Sequence, residues 1–351
     1  GNGGLTVNNG GTFSIANDDF NSLGGAITVN EGGTLSTDST GGGNAHNIGA
    51  ITLNGGTLSS SGNTWSEGNW ILNGDVTVGG SALSTISGLA VGSKSGGGTY
   101  NVADSVAGAG TDLLVSAEIK LGSLTKTGTG TMELTGTGSY TGDTTVSEGT
   151  LSLASSYTHT GTGAFIVEGG TLNIADDVDI TSSSMTISLG GVISPGNSPG
   201  TAITGNQTWN DGGAYLWEIN DMAGGEGVDS GWDWLDIQGT LDISATFDIL
   251  ITSLTNPGNV SGLADGFDYT GFAYLDPYAS FTIATATGGV TGFDASAFNL
   301  NDSSFLNPKV GWSIENIGND IILKAFFVPE PSSTALLGLG GLALMLRRKR
   351  S

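Results

Sequence analysis

A short motif recurs through residues 1–200, and its spacing restricts the fold of this 351-residue chain more than any other feature. Each copy has a short strand of alternating apolar and polar residues, then one or two glycines and usually a Thr, then a second short strand. The clearest copies are LTVNNGGTF at 5–13, ITVNEGGTL at 27–35 and ITLNGGTL at 51–58. Alternation directs one set of side chains to one face of each strand, and glycine supplies the positive φ that a sharp turn needs.

The spacing of these copies favours one architecture. The residue after the glycines falls at Thr12, Thr34, Thr57, Thr99, Thr150, Thr171 and Val192. The steps between them are 22, 23, 42, 51, 21 and 21, of which 42 fits two periods and 51 predicts an insertion or degenerate copies near 107–113. A period near 22 is typical of one coil of a parallel β-helix, whose coils stack about 4.8 Å apart.

The sequence therefore predicts an all-β fold, with a right-handed parallel β-helix (solenoid) over residues 1–200. About nine coils would form a rod about 45 Å long. In this arrangement Val7, Val29, Leu53 and Ile166 share one core. A β-sandwich or propeller is the alternative, since the same glycine turns could close antiparallel hairpins.

The pattern changes near residue 200. Residues 194–200 read SPGNSPG, and two Pro-Gly turns so close together indicate a corner or a boundary. Beyond them, aromatic residues become more frequent and the strands lengthen. Residues 201–327 are predicted to form a β-rich C-terminal cap or small β-domain that covers the open strand edges of the solenoid. A separate β-sandwich remains the alternative.

The C-terminal segment 328–351 carries three signals in a fixed order. A rigid Pro-x-Pro segment cannot join a helix or a sheet ladder, an apolar run follows, and basic residues close the chain. The motif residues are Val328, Pro329, Glu330 and Pro331; the apolar segment includes Ala335, Leu336, Leu337, Leu339, Leu342, Leu344 and Leu346; the basic residues are Arg347, Arg348, Lys349 and Arg350. The run predicts a short hydrophobic helix of about 18 Å, too short for the roughly 30 Å hydrocarbon core.

This order of signals resembles the PEP-CTERM sorting signal of Gram-negative bacteria. The resemblance implies that an exosortase, a membrane transpeptidase, recognises the Pro-Glu-Pro at 329–331 and removes the tail. The membrane would hold the tail only until cleavage, and the protein would pass to the cell surface, outer membrane or extracellular matrix, as for other removable hydrophobic signals. An ordinary C-terminal anchor is the alternative. Because export needs a start signal, we also expect a signal peptide that precedes residue 1.

Residues 124–153 are the densest copy of the repeat. They contain Lys-Thr-Gly-x-Gly-Thr at 126–131, Tyr-Thr-Gly at 140–142 and Val-x-x-Gly-Thr-Leu at 146–151. This pattern resembles the autotransporter-associated β-strand repeat of secreted passenger domains. The resemblance implies a β-helix with a surface address, and it implies no enzymatic activity.

Charge restricts the partners of this chain. It has 9 basic and 33 acidic residues, a formal net charge of −24, and four of the basic residues lie in the last five positions. Ahead of the Pro-Glu-Pro there is no Arg, and the Lys residues are Lys94, Lys120, Lys126, Lys309 and Lys324. Nucleic acid is therefore excluded as a partner, because nothing could neutralise its phosphates. The absence of Cys excludes disulfides and thiolate chemistry.

Few residues could support catalysis. His46 and His159 are the two histidines, and both are predicted to lie in exposed loops without a Ser or Asp partner. Glycosidases use two carboxylates about 5–10 Å apart, and Asp177 and Asp179 could share one strand face. Lyase chemistry on uronates, however, needs a basic residue or Ca²⁺. Asp177 and Asp179 are therefore predicted to lie on a solvated face without a catalytic role. The adjacent acidic residues at 18–19 are a second, weaker cluster.

One segment partly matches a calcium motif. Residues 224–229 read GGEGVD, which fits the first six positions of the Gly-Gly-x-Gly-x-Asp nonapeptide. Gly231 stands where the motif requires an apolar residue, and a single copy cannot complete the oxygen shell. We expect an acidic loop there and no metal site.

These observations together predict a non-enzymatic, exported β-solenoid with no catalytic residue and no cofactor. It would act as a structural or adhesive component of the cell surface or extracellular polysaccharide matrix, with an exosortase as processing partner and extracellular polysaccharide as a candidate ligand. The alternative is a glycan-binding or glycan-degrading β-helix protein. A deep cleft with Trp and paired Asp residues would favour the alternative, and a smooth Thr, Ser and Asn flank would favour the structural role.

Overall fold

The computed structural model describes residues 3–16, 22–39, 45–63, 68–93, 96–108, 110–243, 245–267, 278–308 and 310–327. Within these ranges the chain is all-β, and its one helical element is a 3₁₀ turn at Ala295–Ala297. The strands stack into long parallel sheets that form three faces of a parallel β-helix.

The strands are numbered in chain order and grouped by face. The first face has β1 (Leu5–Val7), β4 (Ile27–Asn30), β7 (Ile51–Asn54), β10 (Val76–Gly79), β13 (Gly98–Val102), β16 (Leu124–Thr127), β19 (Thr144–Val146), β22 (Phe165–Glu168), β25 (Met185–Ser188), β28 (Gln207–Trp209), β33 (Leu241–Ile243) and β36 (Val290–Thr291). The second face has β2 (Thr12–Ala16), β5 (Thr34–Ser39), β8 (Thr57–Gly62), β11 (Ser84–Ser87), β14 (Leu113–Val115), β17 (Thr131–Leu134), β20 (Thr150–Leu153), β23 (Thr171–Ile174), β26 (Val192–Pro195), β29 (Gly213–Ile219), β34 (Phe247–Ser253) and β37 (Phe298–Ser304), with the short β30 (Gly225–Glu226) and β31 (Gly231–Trp232) beside β29.

The third face is divided into two sheets. The first has β3 (Ser22–Leu23), β6 (His46–Ile48), β9 (Trp70–Leu72), β12 (Ala90–Ser93), β15 (Glu118–Lys120), β18 (Thr137–Gly138) and β21 (Thr158–His159). The second has β24 (Asp179–Ile180), β27 (Thr201–Thr204), β32 (Trp234–Ile237), β35 (Ala279–Ala286), β39 (Asp320–Phe327) and β38 (Val310–Ile317).

Each coil of the solenoid visits the three faces in turn. The first coil contains β1, β2 and β3, and the next contains β4, β5 and β6. The first face has 12 strands, which at a stacking distance of about 4.8 Å corresponds to a rod of about 53 Å. Nine of these strands, up to β25, precede residue 200. The predicted parallel β-helix is therefore confirmed.

The core is formed by columns of inward-facing apolar residues. Three of the four predicted core residues are buried, namely Val7, Val29 and Leu53. The prediction for Ile166 was wrong. Ile166 aligns with Thr145 on one neighbouring strand and Thr186 on the other, which face outward, so its side chain is half-exposed. Phe165 and Val167 fill the core in its place.

The predicted alignment of the repeats was also wrong at one position. Thr99 lies in β13 of the first face, opposite Thr125, and not in the second-face column that contains Thr57. The residue that follows Thr57 in that column is Thr85, and Leu114 follows Thr85. Both of these steps are longer than the regular period, so the interval of 42 does not represent two periods. Two longer coils lie here, and one includes the connection at 103–112 ahead of β14.

The first two faces continue past residue 200. β28, β33 and β36 extend the first face in parallel, and β29, β34 and β37 extend the second. At the end of the described residues, β39 pairs antiparallel with both β35 and β38. Aromatic rings fill this part of the core, where Trp209 stacks on Phe247 with ring centroids 4.5 Å apart.

A lysine lies inside the densest repeat. Lys126 occupies an inward position of β16, in register with Tyr100 and Val146, and its side chain is fully buried. Its ammonium donates to the backbone carbonyls of Thr127 (3.0 Å), Gly128 (2.7 Å) and Glu148 (3.0 Å). Burial lowers the pKa of Lys126 to about 8, although the nearby carboxylates of Glu148 and Asp112 oppose this shift. The lysine therefore joins two successive corners of the solenoid.

The predicted C-terminal hydrophobic helix and the motif residues 328–331 lie outside the described residues. No helix within the described ranges is both long enough and apolar enough to cross a membrane.

Candidate functional site

The third face of the solenoid is interrupted between its seventh and eighth coils. Its first sheet ends at β21, and its second sheet begins at β24 on the next coil. No strand pairing joins β21 to β24, both of which the structure describes in full. On the first two faces the ladders pass through these same coils without interruption. The interruption leaves an opening in the middle of the rod and not at one of its ends.

A cleft of about 360 Å³ occupies this interruption. The cleft is lined by Tyr157, Thr158, His159, Asp177, Asp179, Thr181 and Ser182. Its size falls within the roughly 300–1,000 Å³ typical of small-molecule sites. The sequence motifs do not predict this cleft, although they single out three of its residues.

His159 is fixed in the wall of the cleft. The Tyr157 hydroxyl lies 3.0 Å from its Nδ1, and the Ser183 hydroxyl lies 3.0 Å from its Nε2. The Phe165 ring packs against the imidazole with centroids 5.2 Å apart. Burial lowers the pKa of His159 and the nearby Asp179 opposes that shift, so the imidazole is neutral at pH 7. The prediction of an exposed loop histidine was therefore wrong.

The pair formed by Ser183 and His159 resembles a nucleophile beside its base, but its geometry does not suit acyl transfer. Ser183 is only 3% exposed, so a substrate carbonyl cannot reach its hydroxyl. The group that orients the imidazole is the Tyr157 phenol, where serine hydrolases use a carboxylate that stabilises the imidazolium. This arrangement suits a rigid wall better than a catalytic group.

The opposite wall carries two exposed carboxylates. Asp177 and Asp179 both face solvent at the mouth of the cleft. Asp177 adopts a left-handed backbone conformation with φ of 67°, which Asp tolerates better than most residues. Asp179 uses Oδ1 to accept a hydrogen bond of 2.8 Å from the Thr181 backbone N–H, and its Oδ2 accepts no hydrogen bond from the described residues. The described residues that line the cleft include no Lys or Arg, so its potential is negative.

A second group of acidic residues is buried near the 194–200 turn. Asp233 is fully buried and accepts backbone N–H bonds from Gly200 (2.8 Å) and Glu218 (2.9 Å). The Glu218 carboxylate accepts a hydrogen bond from the Ser198 hydroxyl. Burial raises the pKa of Asp233 well above its usual range, and repulsion from Glu218 and Asp176 adds to the effect. Burial likewise raises the pKa of Glu218. These carboxylates hold the turn in place, and sequence reasoning missed them.

The segment with partial resemblance to a calcium motif is held by hydrogen bonds. Within 224–229, β30 pairs with β31, and the Asp229 carboxylate accepts from the side-chain amides of Asn220 (2.6 Å) and Asn259 (3.0 Å). Within the described ranges, no group of three or more His, Asp or Glu side chains is placed to hold a metal ion.

The remaining candidate residues do not form a site. His46 was predicted to lie in an exposed loop, and this was wrong: it is 3% exposed within β6, with its ring 5.7 Å from that of Trp70. The burial of His46 follows from its inward position on the strand. The acidic residues at 18–19 lie outside the described residues.

On the first four coils, columns of small hydroxyl side chains lie on the outer surfaces of the first two faces. Neighbouring coils place identical residues in register, so successive side chains within one column are about 4.8 Å apart. The two second-face columns lie two residues apart along each strand, which separates them by about 6.6 Å. The first-face column contains Thr6, Thr28, Thr52 and Thr77; the second-face columns contain Thr12, Thr34, Thr57 and Thr85, and Ser14, Ser36, Ser59 and Ser87.

An asparagine ladder lies at one corner of the same coils. Asn30 donates to the side-chain oxygen of Asn8 (2.8 Å), and Asn54 donates to that of Asn30 (3.1 Å). Together with the hydroxyl columns, this ladder gives the N-terminal coils a surface rich in hydroxyl and amide groups.

Two family models match parts of the chain. The PEP-CTERM protein-sorting motif matches residues 327–350, and the passenger-associated-transport-repeat matches residues 124–153. No curated protein matches the chain. Both resemblances seen in the sequence are therefore confirmed. The sorting motif marks the chain as an exported protein of a Gram-negative-type bacterium that an exosortase processes.

Proposed function

We propose that this exported chain is a non-enzymatic structural or adhesive rod of the cell surface or extracellular polysaccharide matrix. The observation that carries the proposal is the continuous register of its first two faces through 12 coils. Every interior strand of these faces is hydrogen-bonded on both sides, so the rod resists bending and proteolysis and needs no cofactor. Its negative charge keeps the rods soluble and limits their self-association.

The tail delivers this rod to its site of action. In the proposed sequence of events, the apolar segment 335–346 holds the chain in the membrane and the basic residues 347–350 prevent complete translocation. The exosortase then acts at the Pro-Glu-Pro of 329–331, and the rod leaves the membrane for the outer surface or the matrix.

A deletion strain tests the proposed role. Loss of the whole chain should reduce matrix-associated cell adhesion, and expression of the full chain should restore it. The purified protein should release no reducing ends from extracellular polysaccharide. Release of reducing ends would instead support a glycan-degrading protein, and unchanged adhesion in the deletion strain would contradict the structural role.

Glycan binding is the second candidate function, because the third face contains a cleft with two carboxylates. Two features oppose glycan degradation. The described residues that line the cleft include no Trp to stack on a sugar ring, and no Lys or Arg to neutralise a uronate carboxylate.

A further inference from the structure

The cleft on the third face is an opening in an otherwise continuous surface. A solenoid coil normally pairs with both of its neighbours, because unpaired strand edges invite aggregation. Here side chains instead join the residues at and after β21 to the turn that follows β24: His159 contacts Ser183, and Ser182 donates to the backbone carbonyl of Gly161 (2.8 Å). The opening is thus stabilised by the protein itself, and its walls are held in place.

The two walls of the cleft differ in chemistry. One wall presents the fixed, neutral imidazole of His159 and the exposed side chain of Thr158. The other presents carboxylate oxygens that accept no hydrogen bond from the described protein, namely both oxygens of Asp177 and Oδ2 of Asp179. Ionised carboxylates accept strong, short hydrogen bonds from hydroxyl groups. The cleft therefore combines free acceptors with a rigid ring edge.

Charge and size restrict what could occupy the cleft. Two carboxylates, with no Lys or Arg among the described lining residues, repel anionic ligands such as uronates, phosphates and sulfates. The described residues provide no set of three metal ligands, so a divalent cation is not favoured. A neutral ligand with several hydroxyl groups satisfies the free acceptors without charge repulsion.

We propose that this cleft binds a neutral saccharide segment, with Asp177 and Asp179 as acceptors for its hydroxyl groups and His159 as a packing surface. This inference rests on the proposed function, and it identifies the ligand class through which the rod would attach to the polysaccharide matrix. The cleft lies between the seventh and eighth of 12 coils, so attachment there leaves both ends of the rod free.

The test is calorimetric titration of the whole chain with neutral oligosaccharides (cellohexaose, xylohexaose, maltohexaose and mannohexaose) and with an anionic homogalacturonan oligosaccharide. The Asp177→Asn and Asp179→Asn double variant keeps side-chain volume and the Thr181 contact but removes both charges. We expect at least one neutral oligosaccharide to bind, and the double variant to bind it at least about tenfold more weakly. Added EDTA should not change the affinity.

A matched control separates the cleft from general charge effects. Glu31 and Asp75 are exposed on other coils, and Glu31→Gln with Asp75→Asn removes the same formal charge. This control should bind like the wild type, and circular dichroism should show all three proteins folded. The inference is overturned if no neutral oligosaccharide binds, if only the anionic one binds, or if the cleft variant binds like the control. The deletion strain would still test the structural role in each of those cases.

Discussion

At the scale of single residues, Lys126 shows how a repeat motif stabilises a corner. Its ammonium donates to three backbone carbonyls that belong to two successive coils. Corner carbonyls cannot all join the ladders, and a buried carbonyl without a donor costs free energy. The lysine of the Lys-Thr-Gly motif therefore replaces the backbone donors that the sharp turn removes.

Replacement of Lys126 by Met should lower the free energy of unfolding by about 3 kcal/mol, because three buried carbonyls lose their donor while the side-chain volume is retained. Urea denaturation followed by circular dichroism measures the change. Lys120→Met is the control, since Lys120 forms a partly exposed ion pair with Glu118 at 3.4 Å and its replacement should cost less than about 1 kcal/mol. Equal effects of the two substitutions would contradict the corner role.

At the scale of structural elements, the 194–200 turn depends on buried carboxylates. Asp233 fixes the turn through the Gly200 N–H, and Glu218 contacts Ser198. The pKa values of Asp233 and Glu218 are raised above their ordinary values of 3.8 and 4.5. Because the folded-state pKa values are the higher ones, this pair stabilises the fold fully below the ordinary values. That stabilisation is lost as pH rises through the folded-state values.

Acidification from pH 7 to pH 5 should therefore raise the melting temperature less in Glu218→Gln than in the wild type. The variant keeps the contact with Ser198 but no longer repels Asp233 at neutral pH. Because the pKa of His159 is lowered, protonation of His159 on acidification destabilises the fold equally in both proteins. The comparison between them therefore isolates the effect of Glu218. Glu31→Gln, at an exposed position, should behave like the wild type. An identical pH response in Glu218→Gln and wild type would show that the pair does not titrate as a unit.

At the scale of the whole molecule, the chain joins a parallel β-helix to a C-terminal sorting motif. The rod ends in the antiparallel strands β35, β39 and β38, and β39 ends at Phe327, the first residue of the matched sorting motif. This antiparallel pairing is confined to the third face, because the first and second faces end in the parallel strands β36 and β37. The matched sorting motif therefore begins at the residue that ends the last described strand.

Substitution of Pro329 and Pro331 by Ala should leave uncleaved chain in the membrane fraction, because the segment could then extend into regular structure and would lose its rigid backbone. Removal of residues 347–351 should instead reduce retention before cleavage. Mass spectrometry of the protein from its native host should find no peptide from about residue 335 onward. A mature chain that ends at Ser351 would identify the tail as a permanent anchor.

The sequence by itself determined the architecture of this protein and its sorting signal for export. The regular period of the repeat favours stacked coils, and alternation within each strand correctly places Val7, Val29 and Leu53 inside. The order of Pro-Glu-Pro, apolar run and basic residues is local, so it can be read without a structure. Such signals depend on residues close together along the chain.

Only the tertiary structure decided which residues meet across coils. Alternation does not specify which face a strand joins when corner lengths vary, which is why Thr99 was misplaced. Ile166 was misplaced because residues 165–167 are all apolar, so alternation does not specify which of them point inward. The burial of His46 and Asp233 depends on neighbours from other coils, and so does the cleft between β21 and β24. Contacts between residues on different coils depend on the combined lengths of all the turns between them. No local pattern in the sequence specifies that combined length.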